Sequence, residues 1–468
     1  MTTTAIKPPL YYRVAINLLA PFYRQKVIKK SKTRATLKRE LAERFGERYL
    51  PTPKGVRGVI WCHAVSLGEL NTAYPLLVRL LDLGYGLWVS STTQTGFERT
   101  AKLFAKQIEL GQVMHSFVPV DKPAVLERFL DHVQPLAVMF IETELWANTL
   151  YACRRRGIKT MMVNARLTEK SYQGYAKFAK VSQTMMANLD GVIAQDAASA
   201  QRFTDLGAVH VALADSLKWV SVSTISDEQA SLAKQTTQQI AQAGKTHLWV
   251  MASTHDGEEL LALQAHRRFL DKFADALLIL VPRHPERFDG VYQLCLDNHL
   301  TVARRSLGEP ITKDTQVYLA DSMGELMAWY QVADIAVVGG SFVPVGGHNP
   351  IEPASLGKPI IMGSYDTNCH ELVTALKRVG ALAQLDADDG NPTNNGNPIN
   401  ENNSANDSSL AKQLSEALMQ AYLYQWRGDG GAALVAQKQR ALDDQLGFVL
   451  ALIGAGFDKK ATADLDYH

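Results

Sequence analysis

Short, wholly apolar runs alternating with helical segments constrain the fold of this chain more than any other feature. Residues 59–64, 87–91, 115–118, 137–141, 160–163, 192–194 and 209–213 read as strands, with helical segments such as 71–83 and 184–189 between them. The pattern lapses over a Gln-rich helical connector at 221–242. It restarts with strand-like runs at 248–252, 277–281, 301–303, 317–320, 335–338 and 360–362. Strands apolar on both faces belong to parallel sheets covered by helices. The alternation therefore predicts an α/β protein of two doubly wound domains facing a cleft, with ligands held outside the carboxyl ends of the strands. A length of 468 residues accommodates both. The boundaries read as a basic, membrane-associating segment at 1–50, a first domain at 51–220, the connector at 221–242 and a second domain at 243–455.

Within the second set, the run at 335–338 ends in Gly339 and Gly340, and Gly346 and Gly347 follow. Such pairs let a backbone turn sharply and approach a ligand closely. Asn349 then stands where a helix N-cap belongs, Pro350 suits the first helical position, and Glu352 falls third. The exposed N–H groups of that helix start form an anion site. Asn-Pro-Ile-Glu is equally a capping box with no ligand. Two Gly pairs, with His348 between loop and cap, favour a nucleotide. Two more strand ends repeat the logic. Arg283 and His284 follow a strand directly, and Arg grips phosphate by a two-pronged contact. Ser322 reads as an N-cap with Glu325 in the third position, a second capping box. Each alone is explained by capping or surface charge; three adjacent strand ends with phosphate or ribose partners converge too well for accident.

The first set offers Val59-Ile-Trp-Cys-His-Ala-Val-Ser-Leu-Gly-Glu-Leu70. Its strand ends near Val65, Gly68 gives a tight turn and Glu69 opens a helix. A carboxylate there favours the helix dipole. At the carboxyl end of the first strand it is also placed as a general base.

The net charge of +2 hides an asymmetry. Residues 24–48 hold ten basic side chains, Arg24, Lys26, Lys29, Lys30, Lys32, Arg34, Lys38, Arg39, Arg44 and Arg48, against three acidic ones. Basic clusters seek phosphates on nucleic acid or anionic lipid. An apolar core at 14–22, flanked by Tyr11, Tyr12, Phe22 and Tyr23, precedes them. It is too short to span a bilayer, which takes about 20 residues. Aromatic flanks and basic neighbours predict a helix lying in the membrane surface; a helix packed on the protein's own body is the alternative. Cys62, Cys153, Cys295 and Cys369 are scattered and read as reduced thiols. Residues 386–409 are rich in Asn, Asp, Gly and Pro and read as a disordered, dispensable surface insertion. Asp-x-Asp occurs at 386–388 and 464–466, in contexts too poor for a metal site.

The motifs HAVSLGE, IETELW, NARL, ASTHDGEE, PRHPERF, DSMGEL and GGSFVPVGGHNPIEPASLG, in that order between Trp61 and about Glu371, resemble the 3-deoxy-D-manno-octulosonic acid (Kdo) transferases of Gram-negative lipopolysaccharide synthesis. The resemblance implies two Rossmann-like domains of the glycosyltransferase B type. It implies inverting, metal-independent and cofactor-free transfer of Kdo from CMP-Kdo to a lipid A precursor, at the cytoplasmic face of the inner membrane. Carried over by motif, Glu69 matches the proton acceptor, and Glu142 and Lys218 the transition-state-stabilising positions. Pro282, Arg283, Met323, Gly324, Glu325, Asn349, Pro350, Ile351 and Glu352 match the CMP-binding stretches. The basic segment at 24–48 would hold the phosphorylated acceptor. Ala147 stands where a Pro is usual, Thr168 replaces a usual Ser, and Asp215-Ser216 replaces a usual Gly-Asn before Leu217-Lys218.

Three rivals use the same residues differently. A sugar-nucleotide epimerase on this fold needs no lipid acceptor, which leaves the aromatic and basic N-terminus unexplained. A non-catalytic lipid-binding module needs no nucleotide loops. A nucleic-acid binder lacks any reading module.

Overall fold

The computed structural model describes residues 4–30, 34–220, 225–386 and 409–454. Among them, fourteen strands form two seven-stranded parallel sheets. The first contains β1 (Val59–His63), β2 (Gly86–Ser91), β3 (Val113–Phe117), β4 (Ala137–Ile141), β5 (Lys159–Ala165), β6 (Gly191–Ala194) and β7 (Val211–Leu213), ordered 3-2-1-4-5-6-7. The second contains β8 (His247–Thr254), β9 (Ala276–Pro282), β10 (Val302–Arg304), β11 (Val317–Leu319), β12 (Ile335–Val338), β13 (Ile360–Met362) and β14 (Leu382–Gln384), ordered 10-11-9-8-12-13-14. Both are doubly wound and Rossmann-like, as the alternation predicts. Every run read as a strand is one. The short edge strand β14, Leu-Ala-Gln, has no continuous apolar run and left no signal.

The pairing register explains why the strands are apolar throughout. Trp61 of β1 lies between Trp88 of β2 and Val138 of β4. All five residues of β4 are fully buried. Trp61 meets Phe129 edge-on at 4.6 Å, and Trp88 meets the same ring at 5.7 Å. Burying each such side chain is worth roughly 1.5–3 kcal/mol.

The chain divides into two compact units, Met1–Ser221 with Lys438–His468, and Val222–Gln437. This corrects the reading of 243–455 as wholly part of the second domain. The helix Ala441–Leu452 buries Leu442, Leu446, Val449 and Leu450 in the core of the first unit, with Leu70, Ile141 and Val163. Gln445 fixes its depth: its Oε1 accepts from Asn164 N (2.8 Å) and its Nε2 donates to Asp215 O (3.0 Å). The helix Asp227–Gln242 is no free connector either; Ala233 and Ile240 pack in the second unit's core. An amphipathic pattern says that a helix covers a sheet, not which sheet. The insertion reading at 386–409 falls on 387–408, outside the described residues.

The N-terminal segment forms α1 (Leu10–Lys30) and α2 (Arg34–Arg44). Tyr12 donates to Asp121 Oδ2 (2.8 Å) and Val27 is buried, which fixes the inner face of α1. Leu10, Tyr11, Val14, Leu18 and Phe22 are exposed. At 3.6 residues per turn they fall within about a third of the helix circumference. Among the described residues no helix is long and apolar enough to cross a membrane. The basic segment is less uniform than its composition suggests. Arg44 is buried, pairing with Glu40 (2.9 Å) and donating to Thr92 O (2.7 Å). Arg39 pairs with Glu43 (2.8 Å) and donates to His115 O (3.0 Å). These two cations serve the fold.

Candidate functional site

In each sheet the winding reverses between two central strands, whose carboxyl ends are where folds of this kind bind ligands. In the first sheet these are β1 and β4. After β1, Ser66 caps the helix α3 (Leu67–Asp82) by accepting from Glu69 N (3.4 Å). Glu69 reaches back, its Oε2 accepting from Val65 N (2.7 Å). Gly68 therefore lies inside the first turn of α3, rather than forming a tight turn before it. Burial is the main cause that pushes the Glu69 carboxyl up to about 7; the Val65 N–H opposes it, and the charges of Glu142 and Glu144 add to it.

Glu142 follows β4 directly in a left-handed conformation, φ +63°, which is strained for a residue with a side chain. Two main-chain bonds hold it there: its N–H donates to Val163 O and its carbonyl accepts from Arg166 N, both at 3.2 Å. Burial raises its carboxyl, while the charges of Lys218 and Arg166 pull it down. Lys218 sits in the 3-10 turn Leu217–Val220, whose first N–H donates to Asn164 Oδ1 (2.8 Å). Glu69, Glu142 and Lys218 thus share one electrostatic neighbourhood, although Asp215-Ser216 departs from the usual residues there.

Sequence reasoning gave no role to His63 or Glu144, although both lie in the quoted motifs. His63 is fully buried under Trp146, with ring centroids 4.6 Å apart. Trp61 Nε1–H donates to Ser90 Oγ (2.8 Å), which leaves the Ser90 proton for His63 Nδ1 (3.0 Å). His63 Nε2–H then points at Glu144 Oε2 (3.4 Å), which also accepts from Thr92 Oγ1 (3.4 Å). A buried chain of donors therefore aims one of the carboxylates that raise Glu69.

In the second sheet the central strands are β8 and β12. Pro282 ends β9 and is buried; Arg283, exposed, follows and ties its N–H to Thr254 O (3.0 Å). Its charge acts on Glu352, whose carboxyl burial lifts to about 7 against the pull of Arg283. His255 after β8 and His348 after β12 share a hydrogen bond between their Nε2 atoms (2.8 Å), with rings stacked 5.0 Å apart at 8°. His284 meets His255 edge-on at 5.2 Å. Burial, then His255, Arg283 and His284, bring His348 down to about 4.

Both predicted capping boxes are corrected. The helix after the Gly loop runs Ile351–Ser355, one residue later than read, with Pro350 at its cap. Asn349 Oδ1 still accepts from Ile351 N (3.0 Å), but Glu352 is second in the helix and turns toward Arg283's field instead of capping. The helix after β11 starts at Leu326, with Glu325 itself at the cap position. Glu325 is gripped by Arg305 through Nε (3.2 Å) and Nη2 (2.9 Å), and Ser322 donates its hydroxyl to Glu325 Oε2. Met323 and Gly324 are exposed, and Gly324 O accepts from Gln229 Nε2 (2.6 Å). The strand ends are not all adjacent: β11 neighbours β9, but β8 separates β9 from β12. His255 occupies that gap, and it was missed because its partner lies 93 residues away. Among the described residues no group of three or more His, Cys, Asp or Glu side chains could hold a metal ion. All four cysteines are buried and unbridged.

Residues 39–221 match the family model described as 3-deoxy-D-manno-octulosonic-acid transferase (kdotransferase). The 3-deoxy-D-manno-octulosonic acid transferase of Haemophilus influenzae is 36% identical over 75% of this chain and 81% of its own length. That of Bordetella pertussis is 35% identical over 74% and 80%. Among solved structures, the C-terminal CMP-Kdo binding domain of WaaA from Acinetobacter baumannii aligns at 32% identity over 46% of this chain and 98% of that one, with a TM-score of 0.37. UDP-GlcNAc 2-epimerase from Neisseria meningitidis aligns over 84% and 99% at 12% identity and a TM-score of 0.50, a likeness of fold alone, shared by glycosyltransferases of the B type. Identity of this extent with the Haemophilus and Bordetella enzymes is a relationship of family, and the chain belongs to the Kdo transferases.

Proposed function

We propose that this Kdo transferase moves Kdo from CMP-Kdo to a hydroxyl of a lipid A precursor with inversion at the anomeric carbon, without a metal, at the cytoplasmic face of the inner membrane. The observation that carries the mechanism is Glu69, a half-buried carboxyl poised near 7 at the central strand end of the first unit. A base works best with a pKa near the working pH. The acceptor oxygen forms the new bond to the anomeric carbon and its proton passes to Glu69. The bond from that carbon to the phosphate oxygen breaks, and its electron pair leaves on CMP. Lys218 offsets charge on the departing phosphate, and Glu142 orients the acceptor or balances charge on the sugar. Arg283 holds the donor phosphate, and Pro282, Met323 to Glu325 and Asn349 to Glu352 frame the nucleotide.

The acceptor is a membrane lipid, and the exposed stripe of α1 supports that choice. Beside α1 lies a cavity of about 500 Å³ whose lining includes Pro21, Phe45, Arg24, Lys122 and Arg128. Apolar walls with cations at hand suit a phosphorylated lipid and an anionic membrane surface. Arg39 and Arg44 are engaged internally, whereas Arg24, which pairs with the exposed Glu47 of the same lining (3.3 Å), is the cation of the 24–48 segment that borders this cavity. Mass spectrometry after incubation with CMP-Kdo and the lipid precursor tests the reading. The expected product is the precursor carrying Kdo, with CMP released only when the lipid is present. An altered nucleotide sugar without transfer would instead support an epimerase.

A further inference from the structure

Glu258 is one of the buried acids that the reaction just described does not use. Glu258 opens the helix Glu258–Leu270, and it is fully buried. A buried carboxylate persists only where hydrogen bonds satisfy it. Its neighbour Glu259 is met by Arg287 (2.6 and 3.0 Å) and Thr254 (2.7 Å). Glu258 is instead met by three main-chain N–H groups: His255 N (2.8 Å) and Gly340 N (2.8 Å) on Oε2, and Phe342 N (3.0 Å) on Oε1. The first belongs to the loop after β8, the other two to the loop after β12. One carboxylate therefore pins two neighbouring strand ends to each other.

Those two loops carry the paired histidines. His255 supplies a pinned N–H itself. His348 is tied through the glycines: Gly347 N donates to Gly340 O (2.7 Å) and His348 N to Gly339 O (3.1 Å). A Cβ on Gly340, φ +68°, would stand 2.8 Å from His348 Cδ2. The imidazole thus lies directly against the main chain that Glu258 holds. Since each Nε2 faces the other, one ring donates and the other accepts, so the pair shares a single proton.

We infer that Glu258 is a positioning residue of the donor site, whose carboxylate holds His255 and His348 as one hydrogen-bonded pair beside Arg283, set to receive the anionic group of the donor. This rests on the reading of the second unit as the CMP-Kdo site.

Titration calorimetry with CMP on the full chain tests it, with Glu258→Gln, His348→Asn, their double variant and Gly340→Ala. Gln keeps the shape but turns an N–H toward a donor. Glu258→Gln and His348→Asn should each weaken CMP about tenfold or more, the weight of a lost charge-assisted contact. The double variant should be no weaker than the worse single one, because both act through the same pair. In an imidazole-labelled nitrogen–proton spectrum the shared proton should be seen in the parent and lost in Glu258→Gln. Gly340→Ala, which leaves the carboxylate intact and displaces His348, should show the same loss of CMP affinity, and it decides the matter if Glu258→Gln does not fold. Parent-like CMP affinity in Glu258→Gln, or in Gly340→Ala, overturns the inference alone, as does full additivity in the double variant. A parent chain that does not bind CMP overturns the donor reading and the inference with it.

Discussion

At the residue scale, Glu69 closes the first turn of α3 and is also the base of the proposed transfer, and the two roles predict opposite behaviour. As a base, Glu69→Gln costs about 100- to 10,000-fold in turnover, the usual weight of general base catalysis. CMP affinity should hardly change, because the residues proposed to frame the nucleotide lie in the other unit. In the parent, kcat/KM should climb between pH 6 and 8 with a midpoint near the value of about 7. Stability separates the roles again. The carboxyl is raised from its ordinary 4.5, so between about 4.5 and 7 the folded chain keeps a proton that the unfolded chain has lost. That stabilisation is complete below pH 4.5 and gone above 7. The melting temperature of Glu69→Gln relative to the parent should therefore rise between pH 5 and 8.5. A carboxylate that only serves the helix dipole gives the reverse, a Gln variant that loses ground as pH rises and keeps its turnover.

Glu69 and Arg283 were legible because each follows a recognisable apolar run. The capping box at Ser322–Glu325 misled because Arg305, 20 residues from Glu325, outbids a cap hydrogen bond with a bidentate ion pair, and local spacing carries no trace of such a partner. The His255–His348 pair was invisible for the same reason: two loops brought together by sheet order have no common sequence signature.

At the scale of elements, the strands were readable because burial on both faces demands a wholly apolar run. The exposed apolar stripe of α1 was readable in part, since it follows helical spacing. Leu18 and Phe22 are 66% and 69% exposed, so replacing either by Asp should hardly alter melting. Each change should lower binding to anionic vesicles roughly 10- to 100-fold, as each forfeits about 1.5–3 kcal/mol of apolar burial. Added salt should weaken the parent's binding too, at about 1 kcal/mol per basic residue near the surface. Sedimentation with vesicles measures both effects; undiminished binding by both variants would assign the stripe to something other than lipid.

At the scale of the whole molecule, the two-sheet plan followed from alternation alone, while the discontinuity of the first unit did not. Leu442, Leu446, Val449 and Leu450 look like any helix face until the core they fill is known. A fragment of residues 1–220 should aggregate, since it lacks the helix that covers part of its sheet. Supplying residues 425–454 as a peptide should raise its soluble fraction several-fold; full solubility of the fragment by itself would show that the closing helix is dispensable.

The return of the helix Ala441–Leu452 to the first unit has a consequence in time as well as space. Translation runs at about 5–20 residues per second, so the strands of the first unit leave the ribosome roughly 10–45 s before their closing helix exists. Throughout that interval the second unit is being made while one face of the first stays incompletely covered. The half of the enzyme that begins first is therefore the half that finishes last, and its nascent form is the client that a holding chaperone would meet.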